Sequence, residues 1–255
     1  MDRMPVLFIG HGSPMNAIED NGFTRAWQGI AAEIHKPEAI LVVSAHWYTD
    51  GIRVTDAARP KMVYDMYGFP NELYEVQYNS PGAPALAHEA KTMIGRNVLV
   101  DNTWGYDHGA WSVLHVLYPE ADIPTFQLSV DRTADAAMQY EIGRKIRALR
   151  NKGVLILGSG NVAHNLSHVD FSMEGGYDWA EKFDEYIKES VVENRHADAI
   201  DYKKAGKTAV LAVPIPDHFY PLLTVLGAAD DGDTVSVTNN RCVMGSMSMT
   251  CYLFR

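Results

Sequence analysis

Apolar runs and amphipathic stretches alternate along the chain, and each predicts an element. Val6-Leu-Phe-Ile9 reads as a buried strand, and Gly10 and Gly12 free the backbone to turn around His11. Phe23, Trp27, Ile30 and Ile34 share one face of a helix over 23–34, which Pro37 closes. A second apolar run, Ile40-Leu-Val-Val43, passes through Ser44 and Ala45 to His46, and 51–58 predicts a further strand. Strand, helix and strand in that order favour parallel pairing. Further along, helices are predicted over 84–93, 111–118, 133–150 and 177–194, and strands over 97–100, 125–130, 154–157 and 208–213. Residues 234–254 alternate well enough for one or two strands joined near Asn239-Asn240. The stretches 60–84 and 104–111 keep no period and read as loops. The first carries Tyr64, Tyr67, Phe69, Tyr74 and Tyr78, an aromatic load that argues for an ordered, functional loop. No linker or repeat divides the chain. The pattern predicts one α/β domain over residues 1–255, a mixed, largely parallel sheet with helices on both faces.

Composition narrows the range of partners. A formal net charge of −10 argues against nucleic acid and anionic membranes. No apolar stretch is long enough to span a bilayer, and Met1-Asp2-Arg3-Met4 runs into the first strand without a signal-peptide pattern, so a cytoplasmic setting is expected. Cys242 and Cys251, the two cysteines, do not make a disulfide framework.

The chemistry concentrates in histidine. His11 and His46 follow apolar runs directly, His164 stands six residues beyond the 154–157 strand, and His218 follows the predicted 208–213 strand. In open α/β sheets ligands bind outside the carboxyl ends of the strands. Four imidazoles can therefore converge at one edge and hold a metal such as iron or zinc. His108 lies in a loop after Asp107, which could orient it as an acid or base. His35, His88, His115, His168 and His196 read as surface or packing residues. Gly158-Ser-Gly160-Asn-Val-Ala163, with Asp178 downstream, also fits a dinucleotide fingerprint. That match comes late in the chain, and His164 interrupts what should become the helix. Walker, G-x-S-x-G and catalytic-cysteine patterns are absent.

Taken together, Gly10-His11-Gly-Ser-Pro-Met15, Ser44-Ala-His46-Trp47, Tyr64-Asp-Met-Tyr-Gly-Phe-Pro70, Asp107-His108-Gly-Ala-Trp111, Gly158-Ser-Gly-Asn161, His164-Asn165 and Asp217-His218 resemble the class III, LigB-type extradiol ring-cleavage dioxygenases. The 4,5-DOPA dioxygenase branch with its bacterial members is the most similar. The resemblance spans nearly the whole chain and implies a LigB-like fold and a non-haem Fe(II) enzyme that opens catechols with O2. L-DOPA cleaved at the 4,5 bond is the implied reaction. By family position His11, His46 and His218 are the implied metal ligands. His164 is either a fourth ligand or the acid/base, and His108 contacts substrate or oxygen. Many members supply a glutamate as third ligand, whereas here His218 stands there beside Asp217. An all-histidine set suits Zn(II) as well as Fe(II), which keeps open a zinc hydrolase on the same scaffold or a non-catalytic relative binding metal or a partner. The aromatic loop is expected to wall a catechol pocket, with Arg53, Arg59 and Lys61 nearby in sequence.

Overall fold

The structure is a computed structural model that describes residues 3–95 and 97–255. Met1 and Asp2, part of the N-terminal reading above, lie outside the described residues. The elements in chain order begin with β1 (Val6–Gly10), α1 (Gly22–Glu33), β2 (Ala39–Thr49), β3 (Arg53–Val54), α2 (Asn71–Tyr74), α3 (Pro84–Ile94) and β4 (Leu99–Val100). The middle of the chain forms α4 (His108–Leu117), β5 (Thr125–Asp131), α5 (Ala136–Ile146), β6 (Val154–Gly160), α6 (Asp178–Val192) and α7 (His196–Ile200). The chain continues with α8 (Lys207–Ala212), α9 (Tyr220–Ala228), β7 (Val235–Thr238), β8 (Cys242–Val243), β9 (Met247–Ser248) and β10 (Cys251–Phe254).

Eight strands form the main sheet in the order β4-β3-β5-β2-β6-β1-β10-β7. The central pairs β5–β2, β2–β6 and β6–β1 are parallel, while β10 runs antiparallel to both β1 and β7. Successive side chains of a strand point to opposite faces, and the two cores follow that alternation. Val6 and Phe8 of β1 join Leu41, Val43 and Ile156 on one face, under α3, α5, α6 and α9. Leu7 and Ile9 join Ile40, Val42 and Leu157 on the other, under α1 and α4. These strands are buried on both sides, so they read as continuous apolar runs. The mixed, largely parallel α/β architecture is the one expected. Among the described residues no helix is long and apolar enough to cross a membrane.

Three local expectations fail. Residues 208–213 form not a strand but most of α8, where Ala209 and Ala212 are buried and Val210 is exposed. A short apolar run does not separate strand from helix by itself; the three-residue spacing of the buried alanines is the helical sign. α9 escapes the pattern because all nine of its residues are buried, leaving no polar face to mark a period. It packs hard on α5: a Cβ on Gly227 would lie 1.9 Å from the Tyr140 carbonyl oxygen, and one on Gly143 2.0 Å from that of Thr224. Finally, α4 starts at His108, ahead of the predicted 111, because Asp107 caps it.

Candidate active site

β1, β6 and β2 lie side by side and parallel, so their carboxyl ends open onto one edge. His11 is the first residue past β1, and its amide still donates to the Gly160 carbonyl oxygen at 3.0 Å, one step beyond the strand. Gly12 follows at φ +61°, a left-handed turn that a side chain would strain. His46 lies within β2 where the register against β5 slips between Ser44 and Tyr48. Such bulges re-aim side chains beside functional sites. His218 sits in the turn between α8 and α9, which is held to the end of β6 by Asn161 N–H donating to the His218 carbonyl oxygen at 2.9 Å. His218 is thus not a strand-end residue, but its turn reaches the same edge. His164 follows β6; its amide donates to Ala212 at 2.9 Å and its backbone bridges to Met247.

His11, His46 and His218 each offer a ring nitrogen, all within 4.8 Å of one another. The Nε2 atoms of His11 and His46 are 3.3 Å apart. His164 falls outside this trio and stacks on His218, with ring centroids 3.5 Å apart and planes 7° from parallel. His108 lies against His46 at a centroid distance of 3.8 Å. All five imidazoles singled out in the sequence are therefore in one cluster: His11, His46 and His218 form one close set, His46 and His108 a second with Asp65, and His164 and His218 a third with Asp217. His88 pairs with Asp56, and His196 touches Tyr140 Oη; His35, His115 and His168 also stay outside the cluster.

Burial, and after it the neighbouring imidazoles, hold His11, His46 and His164 well below the usual histidine range. Neutral rings keep a lone pair, and their tautomers follow from their partners. Ser159 Oγ donates to the Gly109 carbonyl oxygen at 2.6 Å, so toward His11 Nδ1, 2.9 Å away, it accepts. His11 then carries its proton on Nδ1 and turns a bare Nε2 to the centre. His218 is buried with no hydrogen bond at either ring nitrogen, an orphan that a metal ion would resolve. Converging neutral imidazoles suit iron or zinc, so the donor set fits the implied metal.

Three carboxylates surround the cluster. Asp107 does not reach the His108 ring. Its oxygens accept from Ser44 Oγ (2.6 Å), Trp104 Nε1 (3.0 Å), Gln127 Nε2 (3.1 Å) and the Ala110 amide (3.1 Å), which anchors the first turn of α4. Burial, and then the charge of Asp65, raise its carboxyl. The residue on His108 is Asp65, whose Oδ2 lies 3.1 Å from His108 Nδ1 and 3.4 Å from His46 Nδ1. The sequence reading passed over Asp65, although it is the one charged residue between Met62 and Pro70. Asp217 likewise stands 3.1 Å from His218 Nδ1.

The glycines read as a dinucleotide fingerprint have another use. Gly158 and Gly160 are strand residues, and a Cβ on Gly160 would lie 2.1 Å from the His218 carbonyl oxygen. They let the His218 turn close on the strand, leaving no phosphate loop. The aromatic loop packs more than it lines. Tyr78 is fully buried, Tyr64 rests on Trp111 at 5.8 Å, and Tyr67 alone of its tyrosines is 91% exposed. Arg53 is paired with Asp101 at 2.6 Å on the β3–β4 edge.

An open α/β sheet with a histidine cluster at its carboxyl edge defines an enzyme of metal-ion type. The chain belongs to the LigB family: the model described as the catalytic LigB subunit of aromatic ring-opening dioxygenase matches residues 5–254. It is 44% identical to the 4,5-DOPA dioxygenase extradiol of Escherichia coli (strain K12), over 97% of this chain and 93% of that protein. To the enzyme of the same name from Beta vulgaris it is 36% identical, over 97% of this chain and 95% of that protein. A solved structure of an uncharacterized Escherichia coli K12 protein, 40% identical, superposes with a TM-score of 0.87, covering 99% of this chain and 100% of that one. The chain is accordingly an oxidoreductase of the extradiol dioxygenase class.

Proposed function

We propose that this enzyme opens the ring of L-DOPA at the 4,5 bond, using Fe(II) and O2. The observation that carries the reading is the trio His11, His46 and His218, three imidazoles whose ring nitrogens lie within 4.8 Å of one another. The names of the Escherichia coli and Beta vulgaris relatives support the substrate. His11, His46 and His218 hold the metal, with His164 as the neighbouring acid/base. Fe(II) bound there supplies an electron path between an electron-rich ring and dioxygen, which redox-inert zinc cannot supply.

The chain's own residues do the rest. Burial favours the unprotonated form of His11 and His46, so neither ring has to lose a proton before a cation binds. His164, stacked on His218, accepts the proton a catechol hydroxyl gives up on binding. His108, packed on His46, hydrogen-bonds the substrate from beside the trio. Fixing the ring between two imidazoles removes much of the entropic cost of bringing the reactants together.

The test is anaerobic loading with Fe(II), followed by oxygen uptake with L-DOPA, protocatechuate and simple catechols. The expected result is one O2 consumed per L-DOPA, a muconate semialdehyde product whose cleavage position is read by NMR, and no uptake by the zinc-loaded protein. Full iron occupancy without oxygen consumption on any catechol would sink the proposal. Ester hydrolysis by the zinc form without oxygen would replace it with a hydrolase.

A further inference from the structure

Two ring nitrogens and one backbone amide face a single carboxylate in this site. Asp65 Oδ1 accepts the His108 amide at 2.8 Å, and Asp65 Oδ2 stands 3.1 Å from His108 Nδ1 and 3.4 Å from His46 Nδ1. We infer that Asp65 is a positioning residue that holds His46 and His108 together as Nδ1–H tautomers, so that one loop-borne carboxylate aims a metal ligand and a substrate-facing base at once. The inference rests on the site proposed above but not on the substrate.

A carboxylate oxygen accepts and cannot donate. The two contacts are close approaches and not in-line hydrogen bonds, and His108 Nδ1 is buried with no hydrogen-bond partner. An Nδ1 there that lacked a proton would set lone pair against lone pair, so each ring's proton belongs on the Asp65 side. Each then presents a bare Nε2 on its far side. For His46 that atom is the one 3.3 Å from His11 Nε2, at the centre of the trio. For His108 it makes the ring a hydrogen-bond acceptor, matched to a substrate hydroxyl. Carboxylates in this outer position orient metal-bound histidines in many sites; here the same oxygen also reaches a histidine outside the trio.

The position of Asp65 is well determined from both sides. Val63 N–H donates to the Tyr106 carbonyl oxygen at 2.7 Å, and the Val63 carbonyl oxygen accepts from Trp111 Nε1 at 3.1 Å. Tyr64 Oη donates to the Val76 carbonyl oxygen at 2.6 Å. Beneath, Asp107 holds the first turn of α4, whose N-terminal amides favour an anion. Gly109 keeps that turn flush with the ligand: a Cβ there would lie 2.7 Å from His46 Cδ2. Asp65 is therefore clamped to α4, and through it the aromatic loop reaches the metal site.

The test uses the full-length protein and zinc, so it is independent of catechol turnover. Zinc affinity by chelator competition should fall about 10–100-fold in Asp65→Ala, the range typical of lost outer-shell partners. It should fall comparably in Asp65→Asn, which keeps the shape but offers N–H groups to the two rings. In the unsubstituted zinc protein, long-range 15N–1H correlation should show His46 and His108 both protonated at Nδ1. In Asp65→Asn the His108 pattern should shift toward Nε2–H. Wild-type zinc affinity in Asp65→Asn, or an Nε2–H tautomer at either ring in the unsubstituted protein, overturns the inference. The tautomer measurement decides it even where a variant fails to fold.

Discussion

An imidazole taken out of water needs its nitrogens matched, and this site matches them only in part, leaving both ring nitrogens of His218 without a hydrogen bond. Ser159 fixes the proton of His11, Asp65 stands behind His46 and His108, and the Nε2 atoms of His11 and His46 turn toward one another. The metal-free protein consequently depends on pH. His11, His46 and His164 sit well below 6.5, pushed down by burial and then chiefly by the neighbouring His218 and His108, so an unfolded chain binds their protons first as pH falls. The stability they leave intact is fully present above pH 6.5 and is lost below it. Each adds a slope of about 1.4 kcal/mol per pH unit, about 4 kcal/mol per unit for the three at most. Urea unfolding of the metal-free protein between pH 5 and 8 should show that decline, whereas a flat profile would mean that these rings titrate as in water. His11 is legible in the sequence because a strand aims the residue at its end, whereas His46, placed at the end of an apolar run, lies inside β2 and is aimed by the register slip there. Asp65 is not legible, because an aperiodic loop gives no rule for where a side chain points.

At the scale of elements, the site depends on how closely the His218 turn approaches β6. Gly160→Ala should push that turn outward, since the added carbon would meet the His218 carbonyl oxygen at 2.1 Å. A loss of about 1–3 kcal/mol in chemical denaturation is expected from such overpacking, with weaker zinc binding beside it. Unchanged affinity would show that the turn tolerates the shift. The strands were legible wherever both faces were buried and the apolar run was long. α8 was misread because its few residues carry too little period, and α9 was missed because burial on every side erases the contrast between faces. His218 thus follows a helix and not the expected strand, yet it lies at the right edge because the turn after α8 returns to β6.

Over the whole molecule, chemistry and anchorage occupy opposite ends of the sheet. Beyond the amino end of β1, Arg150 is buried and donates to the carbonyl oxygens of Met4 (2.7 Å) and Ala228 (3.1 Å) and to Asp233 at 2.7 Å. Arg150→Met should lower unfolding stability by about 3–5 kcal/mol, the usual result of removing one partner from a buried pair. The tautomers and zinc affinity of the distant histidines should stay as they were. Altered tautomers in a folded Arg150→Met protein would show the two ends to be coupled.

The contribution of His218 also bears on synthesis. Residues 11 and 46 leave the ribosome early, while the turn bearing residue 218 emerges only after β1, β2, β5 and β6 have been made. A nascent chain that has not yet reached that turn has two of the three proposed ligands and so cannot hold the ion as the finished protein would. With His218 among the proposed ligands, the ligand set is complete only once the four central strands have been synthesised.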